Sequence, residues 1–474
     1  MHQQKYKIER ITHWDRIAKE KTNNIFSSSY HHRLVEVYLN LIPPRSKILE
    51  IGCGNGDLLA SLSPSRGVGI DFSSRHIQLA KSKYPQLHFF CVDVQDISSV
   101  LNLEAFDFII MSDLVNDLWD IQETFLNITP YCNQRTRIIL NFYSRLWQPI
   151  LTCAQRLKLA NPTLQQNWVT REDLTNLLQL AGIEVIKKWV EVLLPVPIPI
   201  LTSFFNRILV KIWPLTLLAL SNFIVARPVR VPDECKYTVS VIVPARNEAG
   251  NIENILKYIP DMGAGTEIVF VEGNSTDDTY QTIDELLPKF PQRKTSLFSQ
   301  DGKGKGDAVR KGFSKTSGEI LMILDADLTV PPVDLPRFYD ALSTNKGEFI
   351  NGVRLVYPME KEAMRFINIL GNKFFSFAFS YLLGQPIKDT LCGTKALFKS
   401  DYELIAANRS YFGNFDPFGD YDLLFGAARL NLKIIDMPIR YGERTYGTTN
   451  IQRWRHGWLL LKMVVYAAKR LKFI

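Results

Sequence analysis

A chain of 474 residues, 46% hydrophobic and 22% charged, is longer than one ordinary core needs and too apolar to be disordered, collagenous or low-complexity. Two or three globular domains are expected. Fifty-six Lys and Arg against 48 Asp and Glu leave a net charge of +8, which suits anionic partners such as nucleotides, phosphates or an acidic membrane surface and is too weak to indicate nucleic acid.

The start, MHQQKYKIERITHWDR, carries charges throughout and no apolar core, so no secretory leader is expected. Cys53, Cys91, Cys132, Cys153, Cys235 and Cys392 form no C-x-x-C and none has a His at zinc-ligand spacing, which fits free thiols in a reducing cytoplasm. Strand-like runs then alternate with amphipathic segments. KILEIG, GVGID, HFFCVD, FDFIIMSD and RIILNF are short and apolar, and SSRHIQLAKSKY between two of them has helical spacing. That is the pattern of parallel βαβ units.

KILEIG runs into GCGNGDLLASL. Glycines at 52, 54 and 56 allow a sharp turn and close approach to a ligand, and a helix starting near Asp57 aims its free N–H groups at the same place. Asp57 stands where a dinucleotide fingerprint needs its third small residue, so that reading fails. The motif is E-x-G-x-G-x-G, from Glu50 to Gly56. Asp71 ends the next strand at the distance typical of a ribose-gripping acid, and Asp93 ends the third.

These residues resemble the class I S-adenosylmethionine-dependent methyltransferases over about residues 15–227. The resemblance implies a Rossmann-like domain with S-adenosyl-L-methionine as cofactor. It implies that Gly52, Gly54 and Gly56 hold the methionine part, Asp71 the ribose and Asp93 the adenine. Glu50 supports the loop, and Asp113 in MSDLVND lies beside the methyl donor. Asp117, His31 and His32 are candidate bases whose simpler role is packing. The acceptor is not legible, because the cofactor carries the activation and the protein orients. The stretch PVPIPILTSFFNRILVKIWPLTLLAL, between two late strands, could cap the acceptor, touch a membrane or pack on another domain. Prolines 195, 197, 199 and 214 and two basic residues break it, so no spanning helix is expected.

Residues 226–237, ARPVRVPDECKY, have linker chemistry. The domains expected are therefore 1–227 and 237–474, with 228–236 between. In the second half TVSVIVP, EIVFVEG and EILMILDAD read as strands, with helical AGNIENILKYI and KGDAVRKGFSKT between them. The last strand delivers Asp325 and Asp327 in a D-x-D, a pair able to hold Mg²⁺ or Mn²⁺.

The order of these elements resembles the family-2 glycosyltransferases of the GT-A fold, nearest the polyprenyl-phosphate sugar synthases, across about 237–450. The resemblance implies metal-dependent, inverting hexosyl transfer from a nucleotide-diphosphate sugar. It places Pro244, Ala245, Arg246 and Glu248 on the nucleotide, and Glu272 near the base. Gly273 replaces a usual second acid there. It places Lys305 between Gly304 and Gly306 on a phosphate, and Asp325 and Asp327 on the metal, Asp325 also facing the donor. In FGDYDLLFGAARL it puts the catalytic base at Asp420, with Asp422 as runner-up. IKDTLCGTKALF, with Asp389, Cys392 and Gly393, matches the acceptor side. Gln452 and Arg455 in NIQRWRHGW match a basic loop over the diphosphate, though His456 departs from the processive pattern.

From Ile451 to Ile474 six Lys or Arg and no acid accompany Trp454 and Trp458. A basic amphipathic segment of this kind suits a peripheral membrane contact, at the inner face of the membrane for a cytoplasmic protein; core packing explains it equally well. The expectation is a bifunctional transferase acting on a glycan, lipid-linked or polyprenyl-phosphate acceptor. The alternative is a glycosyltransferase whose first half only binds the cofactor or scaffolds.

Overall fold

The computed structural model describes residues 2–19, 25–157, 163–229, 236–354, 356–357, 366–409, 421–442, 444, 446 and 453–473. They form two compact units, Met1–Arg230 and Val231–Lys472.

The first unit is built on β1 (Lys47–Ile51), β2 (Arg66–Asp71), β3 (His88–Cys91), β4 (Phe106–Ser112), β5 (Cys132–Tyr143), β6 (Ile183–Glu191) and β7 (Ser221–Pro228). Their order is β3-β2-β1-β4-β5-β7-β6, parallel except for β7, which runs against both neighbours. Buried Ile, Leu, Val and Phe pack on both faces of the sheet, which is why its central strands read as continuous apolar runs. The chain order reverses between β1 and β4, so a crevice opens beyond their carboxyl ends, where ligands bind in such sheets.

Helix His2–Lys19 precedes this sheet and packs on helix Ser74–Lys83. Polar spacing hid it, because its buried side chains include Arg10 and His13. The apolar stretch between β6 and β7 forms only short helical turns. An ionic chain, buried at Lys211, Glu191 and Arg33 and partly exposed at Glu36 and Arg207, holds it to its own unit. Lys211 pairs with Glu191, Glu191 with Arg33 at 3.1 Å, Arg33 with Glu36 at 2.7 Å, and Glu36 with Arg207 at 2.7 Å. Several of its large apolar side chains stay in solvent, with Ile200 89% and Trp213 77% exposed, while Val210 is buried.

The second unit carries β8 (Val239–Ala245), β9 (Thr266–Glu272), β10 (Lys294–Ser299), β11 (Ile320–Ile323), β12 (Phe349–Val353), β13 (Lys395–Phe398) and β14 (Ile434–Pro438). The order is β10-β9-β8-β11-β13-β12-β14. The first four are parallel, β13 is antiparallel to its two neighbours, and β12 and β14 are parallel to each other. The carboxyl ends of β8, β9 and β11 lie side by side, because Ala245 is in register with Glu272 and Ile242 with Ile323. Both units are thus α/β domains with mixed sheets.

Candidate active sites

In the first unit the loop after β1 turns through Gly52, Gly54 and Gly56, at φ of 72°, 50° and 75°. A Cβ on Gly52 would come within 2.8 Å of Leu114, and one on Gly56 within 2.6 Å of Phe89, so both backbone and space demand glycine. Asp71, at the end of β2, accepts the Gly54 amide at 3.0 Å and the Ser73 amide at 2.8 Å. Burial raises its pKa, and these N–H bonds oppose that. Glu50 is 2% exposed, one of its oxygens has no hydrogen-bond partner, and burial pushes its carboxyl up to about 8.

Asp113 follows β4 at a φ of 52°. The Tyr30 hydroxyl donates to its Oδ1 at 2.8 Å and the Asn141 amide at 2.6 Å, while Tyr38 fixes Asn141 at 2.7 Å. Burial pushes Asp113 up to about 7 despite these donors. A cavity of about 390 Å³ is lined by Glu50, the glycine loop, Asp71 and Asp113, with Trp14 and His31 on its wall. It shares Gly52, Asp71, Phe72 and Leu114 with a smaller cavity that carries Asp93. Asp93 accepts the Gln95 amide at 3.1 Å and pairs with Lys7 at 3.0 Å.

Of the candidate bases, Asp117 and His31 line the larger cavity, and Asp117 lines the smaller one as well. Trp14 Nε1 donates to Asp117 at 3.1 Å, and Arg10 lies 3.8 Å away. His32 lines a different cavity, beside Arg207. The sequence reading missed Tyr6, Lys7, Arg10 and Trp14, which line these two cavities from helix His2–Lys19. Their only signal was the aromatic and basic content of a segment outside the motifs.

In the second unit Asp325 and Asp327 lie just beyond β11, and each faces a different cation. Lys305 Nζ is 2.6 Å from Asp325 Oδ1, and Arg444 Nη2 is 2.7 Å from Asp327 Oδ2. Lys305 is the first residue of helix Lys305–Lys315. Gly393 closes against this pair, and a Cβ there would lie 2.1 Å from both Asp325 Oδ2 and Lys305 Nζ. Pro244 and Ala245 end β8, and exposed Arg246 follows. Glu248 is 6% exposed, and Asn251 donates to it at 2.8 Å. Burial pushes its carboxyl up to about 7, against the pull of Arg444.

Glu272 ends β9 and accepts the Ser275 amide. At Gly273 a Cβ would come within 3.1 Å of Gln300 Oε1 and 3.3 Å of Arg246 Cβ. Gln300, not an acid at 273, therefore fills that place; its Nε2 donates to Gly304 O at 2.9 Å. Asp389 is fully buried and receives a forked pair from Arg354 at 2.7 and 2.9 Å, which holds its carboxyl below the usual range despite burial. Cys392 is buried, and burial pushes its thiol up to about 11.

Asp422 lies in the first turn of helix Tyr421–Arg429 and pairs with Arg409 at 2.6 Å. Asp420 and Gln452 lie outside the described residues, and Arg455 falls in the first turn of helix Arg453–Ala467.

Among the described residues no three His, Cys, Asp or Glu side chains gather into a metal site. The donor chemistry of Asp325 and Asp327 nevertheless fits a hard cation. Mg²⁺-type ions commonly take one or two carboxylates and complete their shell with water and substrate phosphate.

Each half matches one family model. The family model "Glycosyl transferase family 2" matches residues 240–405, and a "Methyltransferase domain" model matches residues 25–188. The first half of the chain is thus similar to a methyltransferase domain and the second half to family 2 glycosyltransferases. Dolichol-phosphate mannosyltransferase of Pyrococcus furiosus is 29% identical over 219 residues, covering 45% of this chain and 59% of that protein. The chain spans about three fifths of the length of that relative. Glucosyl-3-phosphoglycerate synthase of Mycobacterium tuberculosis, solved with Mn²⁺, UDP and glucosyl-3-phosphoglycerate, aligns at 22% identity and a TM-score of 0.37 over 50% of this chain and 80% of that one. The Haloferax volcanii complex of the Trm112 methyltransferase activator with a methyltransferase described there as putative aligns at 15% identity and a TM-score of 0.36, over 46% and 98%.

Proposed function

We propose that the chain is a bifunctional transferase. Residues 237–474 transfer a hexosyl group, with inversion, from a nucleoside-diphosphate sugar, and residues 1–227 transfer a methyl group from S-adenosylmethionine. The observation that carries the reading is the convergence of Asp325, Asp327, Lys305 and Glu248 at the ends of parallel strands, within a domain matched by the glycosyltransferase family model.

A divalent cation, when bound, supplies neutralising charge for the leaving diphosphate. Asp325 and Asp327 are the residues that would hold it. Lys305, at the head of its helix, balances phosphate charge. Glu272 and Gln300 border the base. Asp420 accepts the proton of an acceptor hydroxyl or holds an acceptor phosphate. In the other half the Gly52–Gly56 loop and Asp71 hold the cofactor, and Asp113 is fixed beside the methyl-donor end of the cavity.

A lipid-linked or polyprenyl-phosphate acceptor is supported by a second surface. Helices Phe366–Leu383 and Arg453–Ala467 pack against each other. Leu370, Phe374, Phe377 and Tyr381 recur at one face of the first, and Trp458, Leu461 and Val465 at one face of the second; all are exposed. No acid occurs in 364–388 or 451–474, and Lys462 and Lys472 lie over Trp458 and Tyr381. Aromatic, leucine-bearing and basic helix faces suit an anionic bilayer surface. Among the described residues no helix is long and apolar enough to cross a membrane.

The test is sugar transfer with purified protein. Asp327→Ala should lose metal-dependent donor binding and turnover together. Asp420→Asn should keep donor binding and lose about two to four orders of magnitude in rate. If Asp422→Asn is inactive while Asp420→Asn is normal, the base is Asp422. Normal turnover in all three variants refutes the proposal.

A further inference from the structure

Beyond β14, the described residues Gly442, Arg444 and Tyr446 form a strap on the loops of the donor site. On one side the Gly442 amide donates to Thr329 O at 3.0 Å, two residues beyond Asp327. On the other side Tyr446 lies on Gly250, so closely that a Cβ there would be 2.5 Å from the ring. Arg444 sits between these anchors, and its guanidinium spans two acids from different loops. Nη1 is 3.1 Å from Glu248 Oε1, and Nη2 is 2.7 Å from Asp327 Oδ2. Thr329 holds the other oxygen of Asp327, its hydroxyl donating at 2.8 Å and its amide at 3.2 Å. Asp327 thus enters the binding reaction already neutralised. A cation cannot take that carboxylate oxygen while the guanidinium keeps it.

We propose that Arg444 is a counter-charge latch. It occupies Asp327 and Glu248 in the empty site and yields Asp327 to a divalent cation only when the donor diphosphate offers the guanidinium an alternative anion. This rests on the donor-site reading above and adds regulation to it. The planar fork of Arg suits both partners, first a pair of carboxylates and then phosphate oxygens. The consequence is thermodynamic coupling. Cation alone binds weakly because it must displace the arginine, and diphosphate removes that competition. By linkage, the cation strengthens diphosphate binding by the same factor.

The experiment measures Mn²⁺ affinity of the full chain by the electron paramagnetic resonance signal of free Mn²⁺, with no nucleotide, with UDP and with GDP. Wild type should bind Mn²⁺ weakly alone and at least tenfold more tightly with its nucleoside diphosphate. Arg444→Ala and Arg444→Gln should bind Mn²⁺ alone at least threefold more tightly than wild type, and their enhancement by nucleotide should shrink. Arg444→Lys, which keeps the charge without the fork, should fall between. The far-ultraviolet circular dichroism of each variant checks folding, and the Gln variant, closest in bulk, carries the test if Ala disturbs the strap. Unchanged or weaker Mn²⁺ binding without nucleotide in the folded Ala and Gln variants, or an enhancement equal to wild type, overturns the latch while leaving the donor site standing. Absence of Mn²⁺ binding in wild type under every condition overturns the donor-site reading and the latch with it.

Discussion

Asp71 gives the sharpest test of the cofactor site. An ionised carboxylate offers about four acceptor positions. Two are taken by the Gly54 and Ser73 amides, one on each oxygen. Two remain, matching the two hydroxyls of a ribose. Asp71→Ala removes both hydroxyl acceptors and frees the amide that fixes the glycine loop. A hydrogen bond to a charged group is worth about 1.5–3 kcal/mol net of water, and the two hydroxyls share one carboxylate, so a loss of at least about that size is expected. S-adenosylmethionine affinity should fall about 10- to 100-fold, since each 1.4 kcal/mol is about tenfold. Asp71→Asn should not be the mild change its shape suggests. One of its two positions becomes an NH₂, which must face either the Gly54 or the Ser73 N–H, donor against donor. Titration calorimetry should therefore place Asn near Ala rather than near wild type. Affinity within twofold of wild type in both variants would refute the ribose assignment, and wild-type affinity in Asn alone would refute the claim that both oxygens are committed to the loop.

Three other outcomes follow from the geometry. Glu50 has a raised folded pKa, so between about 4.5, where the unfolded carboxyl titrates, and about 8 the folded state holds the extra proton, and apo stability should decline as pH rises through that window; Glu50→Gln should flatten the fall in melting temperature between pH 5 and 8. Gly393→Ala, by pushing Asp325 and Lys305 apart, should weaken donor binding at least tenfold in a chain that still folds, read by calorimetry with the nucleoside diphosphate and Mn²⁺. Phe377→Asp with Trp458→Asp should abolish co-sedimentation with vesicles containing anionic phosphatidylglycerol while leaving S-adenosylmethionine binding unchanged; equal sedimentation would refute the membrane face.

What the sequence disclosed, it disclosed where chemistry restricts the residue. The three glycines at positive φ, the acids closing β2 and β3, and the D-x-D after β11 can be few other residue types, and they stand out in the chain. The central parallel strands were legible because burial on both faces makes them uniformly apolar. Helix His2–Lys19 was not, since it packs through Arg10, His13 and Trp14, whose polar ends hide a buried face. Arg444 was equally silent, because an arginine in a loop looks solvated until two carboxylates from residues 117 and 196 positions away are seen around it. Nor could the sequence tell that Gln300 stands where an acid at 273 would reach. That substitution is an exchange in space, with no trace along the chain.

Arg10 also bears on the order in which the first unit is assembled. Its Nε and Nη2 donate to Asp117 O and Gln165 O, partners 107 and 155 residues further along. Helix His2–Lys19 therefore closes two long loops in its unit, and such contacts form after the local ones because chain entropy must be lost before they can be made. The sheet can be complete while this helix is still searching for its place. A segment made before the sheet would then settle after it, and competence to bind S-adenosylmethionine would arrive as a distinct, late step. A stopped-flow refolding experiment should show intrinsic sheet signal returning before S-adenosylmethionine binding does.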